Sequence, residues 1–228
     1  MHHALTAPPS FRLSHFDVAW ATTAANHISG DFVLHFQHQA YHYVALGDLM
    51  GKGLSAAMWL THVIDLLRRA CETNDSLCSI MRTLNNEFHR SRVGVPLTSL
   101  LLTRMKEGDS HVSYCCGGCP PLFLLSNDQR VTVLHEGGPI LGAVSETNYK
   151  SDTLALSPGD TLLSVSDGIL EVHRGHDFEL RPDRVIDHLR YSAGNTPTSI
   201  VRGLISRVES SSAPLNDDLT ALAIQRQL

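Results

Sequence analysis

The sequence predicts an α+β fold, a four-layer α-β-β-α sandwich of two antiparallel sheets flanked by helices. Three observations predict it. Short runs rich in β-branched and aromatic residues fall into clusters. Two pairs of helix-period segments separate those clusters. Strands and helices do not alternate one for one, as a parallel sheet would require. The 228 residues suit one domain, expected over 1–228 with a lead-in of about residues 1–12 that holds Pro8 and Pro9.

The elements follow in order. Asp17–Ala25, Asp31–Gln39 and Tyr41–Leu49 read as strands separated by turn-sized gaps. Leu54–Ala70 reads as a helix, with Met58, Val63, Leu66 and Leu67 close to a helical period; Leu77–His89 repeats the pattern at Ile80, Leu84 and Phe88. Strands return at 98–106, 111–118, 122–128, 130–136, 153–160 and 161–168, with Gly108-Asp109 and Pro120-Pro121 as turn signals. Helices are expected at Arg181–Tyr191 and Thr198–Glu209, since Pro182 and Pro197 near their starts lack an N–H that helix entry does not need. A strand over 218–225 closes the chain.

Composition narrows the function. Hydrophobic residues make up 43% and charged residues 18%, which supports a sizeable core and disfavours disorder. A net charge of −5 without a basic run disfavours nucleic acid as a partner, and a metal-dependent nuclease with it. No apolar stretch approaches the ~20 residues of a membrane span, and the first 17 residues carry no apolar signal-peptide centre. The five cysteines, Cys71, Cys78, Cys115, Cys116 and Cys119, are odd in number and lack a framework spacing. Reduced thiols and a cytoplasmic setting are expected.

Several aspartates share one local design. Asp31 follows Ser29-Gly30 and opens a strand; Asp48 ends one before Gly51 and Gly53. Asp167 ends another and precedes Gly168, while Asp217 and Asp218 open the last. Taken singly, each is an ordinary turn residue. Together they could face one cleft, where mutual repulsion would resist joint ionisation. A hard cation removes that conflict, and an all-oxygen donor set selects Mg2+ or Mn2+ over zinc.

Their order carries a resemblance. Ser29-Gly30-Asp31-Phe32, the run 47–58 (GDLMGKGLSAAM), the run 137–142 (GGPILG), the run 156–171 (LSPGDTLLSVSDGILE) and the run 216–224 (NDDLTALAI) together resemble the SpoIIE-like branch of the PPM (protein phosphatase 2C) metal-dependent serine/threonine phosphatases. The resemblance spans about residues 16–225. It implies two ions, Mn2+ or Mg2+, in a cleft between two sheets. Asp48 would bridge them and the backbone carbonyl of Leu49 would ligate one, directly or through water. Asp31 would supply a nearby carboxylate, with Asp167 and Asp217 on the other ion; Asp217 matches the usual ligand better than its neighbour Asp218. Asp31, Asp48, Asp167 and Asp217 would then be the catalytic set. Gly51 and Gly53 would keep the loop low for substrate, and Lys52 would stand near the phosphate, though a solvated lysine is the commoner case.

The implied chemistry is hydrolysis of phosphoserine or phosphothreonine on a regulatory protein such as an anti-sigma-factor antagonist. Two divalent ions would acidify a water and neutralise the phosphoryl oxygens. No cysteine or serine nucleophile is needed. The helices 54–70 and 77–89 would meet an activating partner or a second copy. Two departures support an alternative, a catalytically weak or inactive binding module: Leu34 stands where the branch often has a second aspartate, and Gly118 where it has histidine. Arg12 matches no phosphate-binding arginine. The run 47–53 lacks P-loop spacing. Cys116 and Cys119 form a single C-x-x-C, which reads as thiols packed in a strand-turn. The fourteen histidines show no H-E-x-x-H spacing.

Overall fold

A computed structural model describes residues 9–25, 29–51, 54–91, 94–174, 177–211 and 215–227. The element order is β1 (Ser10–Arg12), β2 (Phe16–Thr23), β3 (Asp31–His38), β4 (Tyr41–Leu49), α1 (Leu54–Thr73), α2 (Leu77–Arg90), β5 (Thr98–Lys106), β6 (His111–Gly117), β7 (Leu122–Leu125), β8 (Val131–Leu134), β9 (Ser151–Ala155), β10 (Thr161–Val165), α3 (Asp167–Leu170), β11 (Glu171–Arg174), β12 (Asp177–Leu180), α4 (Pro182–Tyr191), α5 (Pro197–Ser211) and β13 (Leu219–Arg226). The class is α+β, with antiparallel sheets and paired helices. The described residues form two compact units.

The first unit comprises residues within 28–119 and 136–155. Its sheet runs β3-β4-β5-β6-β9, antiparallel throughout. The β3–β4 hairpin turns at Gln39-Ala40, and its register pairs His38 with Tyr41 and Asp31 with Asp48. Alternation along β3 sends Phe32, Leu34 and Phe36 to one face, where they meet Leu60, Val63 and Leu67 of α1 and Ile80, Met81 and Leu84 of α2 in one apolar cluster. Each such side chain, fully buried, contributes about 1.5–3 kcal/mol. Ser76 caps α2, its side chain accepting from the Ser79 N–H at 3.2 Å.

The second unit comprises residues within 8–27, 120–135 and 156–228. Its main sheet runs β1-β2-β13-β10-β7-β8, and β11 and β12 form a separate hairpin. Phe123, Leu163, Ala221 and Ala223 pack with Val185 and Leu189 of α4 and Ile200, Val201 and Leu204 of α5.

Several expectations need correction. Residues 10–12 of the expected lead-in pair with β2, Phe11 opposite Val18. The expected strand 153–160 ends at Ala155, because Pro158 and Gly159 turn the chain there. Both carboxylate oxygens of Asp160 fasten that turn, accepting from Asn127 N–H at 2.8 Å and Ser157 N–H at 2.9 Å. Asp167 lies just past its strand and opens the one-turn helix α3. The last strand begins at Leu219. Met58 is 72% exposed and sits off the buried stripe of α1. Cys116 and Cys119, expected as reduced thiols, are bridged; their Cα atoms lie 5.7 Å apart, within bridge range. Cys71, Cys78 and Cys115 are free. Lys52 and Gly53 lie outside the described residues.

Candidate functional site

The two units each carry part of the expected aspartate set. In the first, Asp31 stands opposite Asp48 in the β3–β4 ladder, so both side chains leave the same face of the sheet. Asp31 is buried and Asp48 half-buried. Ser29 fixes the entry to β3, its Oγ accepting the Asp31 N–H at 3.0 Å. Beyond Asp48 the chain is held by Leu49 N–H to Gly30 O (3.3 Å) and Met50 N–H to Leu97 O (2.9 Å). Gly51 then adopts φ 118°, a conformation that favours glycine.

Gly30 shows where the oxygens converge. A Cβ built there would lie 2.9 Å from Asp48 Oδ1 and 3.0 Å from the Leu49 carbonyl oxygen. The missing side chain therefore leaves a cradle onto which a carboxylate and a backbone carbonyl both open. With Asp31 alongside, the donor set is oxygen only and anionic, which fits a hard divalent cation. Among the described residues, no group of three or more His, Cys, Asp or Glu side chains is placed to hold a metal ion. The cradle's third donor is a main-chain carbonyl.

In the second unit, the backbone of Asp217 and Asp218 passes against Gly168, next to Asp167, and the missing Cβ of Gly168 makes room for the Asp218 carbonyl. Asp167 Oδ1 accepts the Gly168 N–H at 2.8 Å, and Asp217 Oδ1 accepts the Asp218 N–H at 3.0 Å. Asp218 is buried, and its Oδ1 accepts the Ala25 N–H at 2.8 Å. That bond ties Asp218 to the β2 end, while Asp217 is half-buried. Ser166 locks the corner: its N–H donates to Thr220 O (2.8 Å), and its Oγ accepts the Thr220 N–H (2.9 Å).

The departures take on physical meaning. Leu34 belongs to the helix-packed face of β3, opposite to Asp31, so its presence removes no acid from the Asp31 face. At Gly118 (φ 68°) a Cβ would meet Ile140 Cα at 2.6 Å, so this backbone excludes a histidine there. The sequence reading missed Asn85. It is fully buried, donates to Val144 O at 2.8 Å and accepts from Gly142 N–H at 2.9 Å, clipping the 137–144 loop to α2. Its place on the buried stripe of α2, between Leu84 and Phe88, is the signal that could have found it.

Residues 39–227 match the family model described as Stage II sporulation protein E (SpoIIE). The chain belongs to the SpoIIE family. The chain is 23% identical over 216 residues to the phosphoserine phosphatase RsbU of Bacillus subtilis (strain 168), covering 93% of this chain and 64% of RsbU. Relative to Stage II sporulation protein E of the same strain it is 26% identical over 229 residues, 98% of this chain and 27% of that protein. The chain thus spans less than two thirds of the length of these relatives. Among solved structures, the RsbU and RsbW domains of Rv1364c from Mycobacterium tuberculosis align with a TM-score of 0.80 at 22% identity, over 94% of this chain and 62% of that one. The PP2C phosphatase domain of SpoIIE from Bacillus subtilis, with a fragment of its regulatory domain, aligns at 0.77 and 21% identity, over 93% and 63%. RsbX in complex with magnesium aligns at 0.70 and 17% identity, over 96% and 98%. The SpoIIE-family chain therefore has the fold of these phosphatase domains.

Proposed function

We propose that this chain is a metal-dependent phosphoprotein phosphatase, a single phosphatase domain acting on phosphoserine or phosphothreonine of a regulatory protein such as an anti-sigma-factor antagonist. The observation that carries the reading is the cradle at Gly30, where Asp48 Oδ1 and the Leu49 carbonyl converge beside buried Asp31. Similarity to a phosphoserine phosphatase, RsbU, supports the substrate class.

Asp48 and the Leu49 carbonyl would hold one Mn2+ or Mg2+ ion from the first unit, with Asp31 beside them. Asp167 and Asp217, with Asp218 as their anchored neighbour, would hold an ion from the second unit. Bound divalent ions supply charge neutralisation at the phosphoryl oxygens and lower the pKa of water. The chain's own work is positioning. The β3–β4 ladder holds Asp31 and Asp48 in register, and backbone N–H groups fix one oxygen each of Asp167 and Asp217. Preset geometry of this kind stabilises a transition state that asks for placement more than covalent chemistry.

Control would run through α1, which follows the Asp48–Leu49 corner, and through α2. A partner protein or a second copy would meet exposed Met58, and a cytoplasmic setting suits such a substrate. The test is turnover of p-nitrophenyl phosphate and a phosphoserine peptide with Mn2+ or Mg2+, with EDTA, and in Asp48→Asn. Metal-dependent turnover lost in Asp48→Asn is the expected result. Turnover that survives EDTA but is destroyed by iodoacetamide would overturn the mechanism. No turnover with any ion would leave the binding-module reading.

A further inference from the structure

We infer that Cys116 and Cys119 form a reversible dithiol–disulfide site whose bridge locks the turn at the end of β6. Four features support it. First, the pair is bridged, with Cα atoms 5.7 Å apart across Gly117 and Gly118. Second, the site is reachable from solvent: Gly118 is exposed and Cys119 half-buried, while Cys116 is 8% exposed. Third, the Cys119 N–H points at Cys116 Sγ at 3.1 Å, a contact that stabilises a thiolate at Cys116 once the bridge opens. Fourth, no other cysteine among the described residues is bridged. Burial pushes Cys71 and Cys115 up to about 12, which keeps both as inert thiols at neutral pH. Cys78 donates to Ser151 Oγ at 3.1 Å and lies within hydrogen-bond reach of the buried Cys115 thiol, to which it is not bridged.

The turn is wired to its surroundings. Gly118 N–H donates to Gly138 O at 2.9 Å, and Gly138 N–H donates to Cys116 O at 2.8 Å. The loop that carries Gly138 then pairs with β5, Leu141 N–H to Thr98 O at 3.1 Å and Thr98 N–H to Leu141 O at 3.3 Å. Thr98 stands opposite Leu49 in the β4–β5 ladder. Opening the bridge loosens the loop bonded to it, within the same unit as the Gly30 cradle.

The chemistry balances as two thiol–disulfide exchanges with a low-molecular-weight disulfide. The thiol of Cys119, the more exposed of the pair, gives up its proton and attacks one sulfur of oxidised glutathione, while the stabilised Cys116 thiolate waits to close the bridge. Its S–S bond breaks, one glutathione thiolate leaves, and a mixed disulfide forms on Cys119. Cys116, deprotonated, then attacks the Cys119 sulfur, closes the bridge and releases the second glutathione thiolate. Two thiols of the chain are oxidised and one glutathione disulfide is reduced to two thiols, which take up the two protons. Reduction runs the same steps backwards.

The test uses the folded chain in glutathione buffers of varied ratio, quenched with N-ethylmaleimide and mapped by mass spectrometry. Cys116 and Cys119 alone should gain and lose protection together, in both directions. In Cys116→Ser a glutathione adduct should accumulate on Cys119. Amide exchange at Gly118 and Gly138 should run roughly tenfold faster in the reduced chain, as local opening becomes easier. Full labelling of both thiols in excess oxidised glutathione overturns the proposal. So does protection that excess reduced glutathione cannot remove, or exchange that is equal in the two forms. None of these readouts depends on phosphatase activity, so this site and the proposed function fail separately.

Discussion

Asp31 and Asp48 stand directly across the β3–β4 ladder from each other, and Asp31 is 4% exposed. Like charges directly opposite in a sheet destabilise it unless something between them compensates. Asp48→Asn is therefore expected to leave the metal-free chain as stable as before or slightly more so. It is also expected to abolish stabilisation by Mn2+, which for a single site at a hundred times Kd is about 2.7 kcal/mol. Thermal melts of both chains with and without Mn2+ check this. An unchanged Mn2+ shift in the variant counts against the cradle.

The two glycines at the aspartate clusters should respond differently. Gly30→Ala places a methyl 2.9 Å from Asp48 Oδ1 and 3.0 Å from Leu49 O. It should weaken Mn2+ binding about tenfold or more, because the new carbon occupies the cradle. Gly168→Ala drives its methyl into the Asp218 carbonyl, which Ser166 holds. Backbone cannot swing aside as a side chain can, so this variant should lose about 1–3 kcal/mol of stability. Calorimetric titration and urea unfolding separate the two effects.

Asn85→Ala should be among the costlier single changes in the first unit. The side chain is fully buried and satisfies both the Val144 carbonyl and the Gly142 N–H. Truncation leaves two part-buried backbone groups without this partner, at about 1–3 kcal/mol each before water relaxes the site. Chemical denaturation should show a loss near the middle of that range. A loss below about 0.5 kcal/mol, the level of an ordinary surface change, would mean that water replaces the amide.

The strands with strong local signals were legible. Residues 98–106 form β5 as read, and Tyr41–Leu49 forms β4. Both have turn residues at their ends and little to compete with β pairing. What stayed hidden depended on partners distant in sequence. Ser10–Arg12 is too short to announce itself and exists because β2 supplies its ladder. The run 171–180, which forms the β11–β12 hairpin, mixes charged residues with apolar ones and shows no clean alternation. In the candidate site, Asp31, Asp48 and Asp167 stood out because glycine beside a carboxylate is a local pattern, and Asp217 and Asp218 because the pair precedes a strand-like run. Asn85 was missed because its role rests on a loop 57 residues away. The bridge was missed because C-x-x-C spacing alone does not say whether the turn brings the sulfurs together.

Stability should fall as the solution is acidified from pH 6.5 towards pH 4. Burial first, and then neighbouring His42, lower His35 from 6.5 to about 4. The two rings stack with centroids 5.5 Å apart, and His35 Nε2 meets His42 Nδ1 at 3.2 Å. Burial lowers His42 as well, against Glu107, and lowers His188, against the Ile200 carbonyl. In that window the unfolded chain binds protons that the folded chain refuses, so the slope of stability against pH is positive. The contribution is fully present above pH 6.5 and lost as pH falls through the folded values. His35→Asn should flatten the slope between pH 4 and 6.5, and urea midpoints across that range measure it. An identical slope in the variant would show that other groups set the acid response.

The last expectation concerns α1. Its buried stripe runs through Leu60, Val63, Leu67 and Ala70, while Met58 is 72% exposed and Met50, just past Leu49, is 56% exposed. Exposed apolar side chains such as these offer a contact to a partner or a second copy where they join into one patch. Met58→Glu should fold normally, because it disturbs no buried contact. Val63→Glu should not, because it places a charge in a side-chain environment only 1% exposed. The corner and the helix are close in the chain, so a contact that tilts α1 moves the Leu49 carbonyl. A displacement near 1 Å costs about a hundredfold in rate. Met58→Glu is therefore expected to weaken self-association or partner binding, and with it Mn2+ affinity and turnover, in a chain whose melt is unchanged. Light scattering and Mn2+ calorimetry on the same sample test both halves. Unchanged assembly, affinity and turnover, with and without a phosphorylated partner, would sink the idea that α1 gates the site.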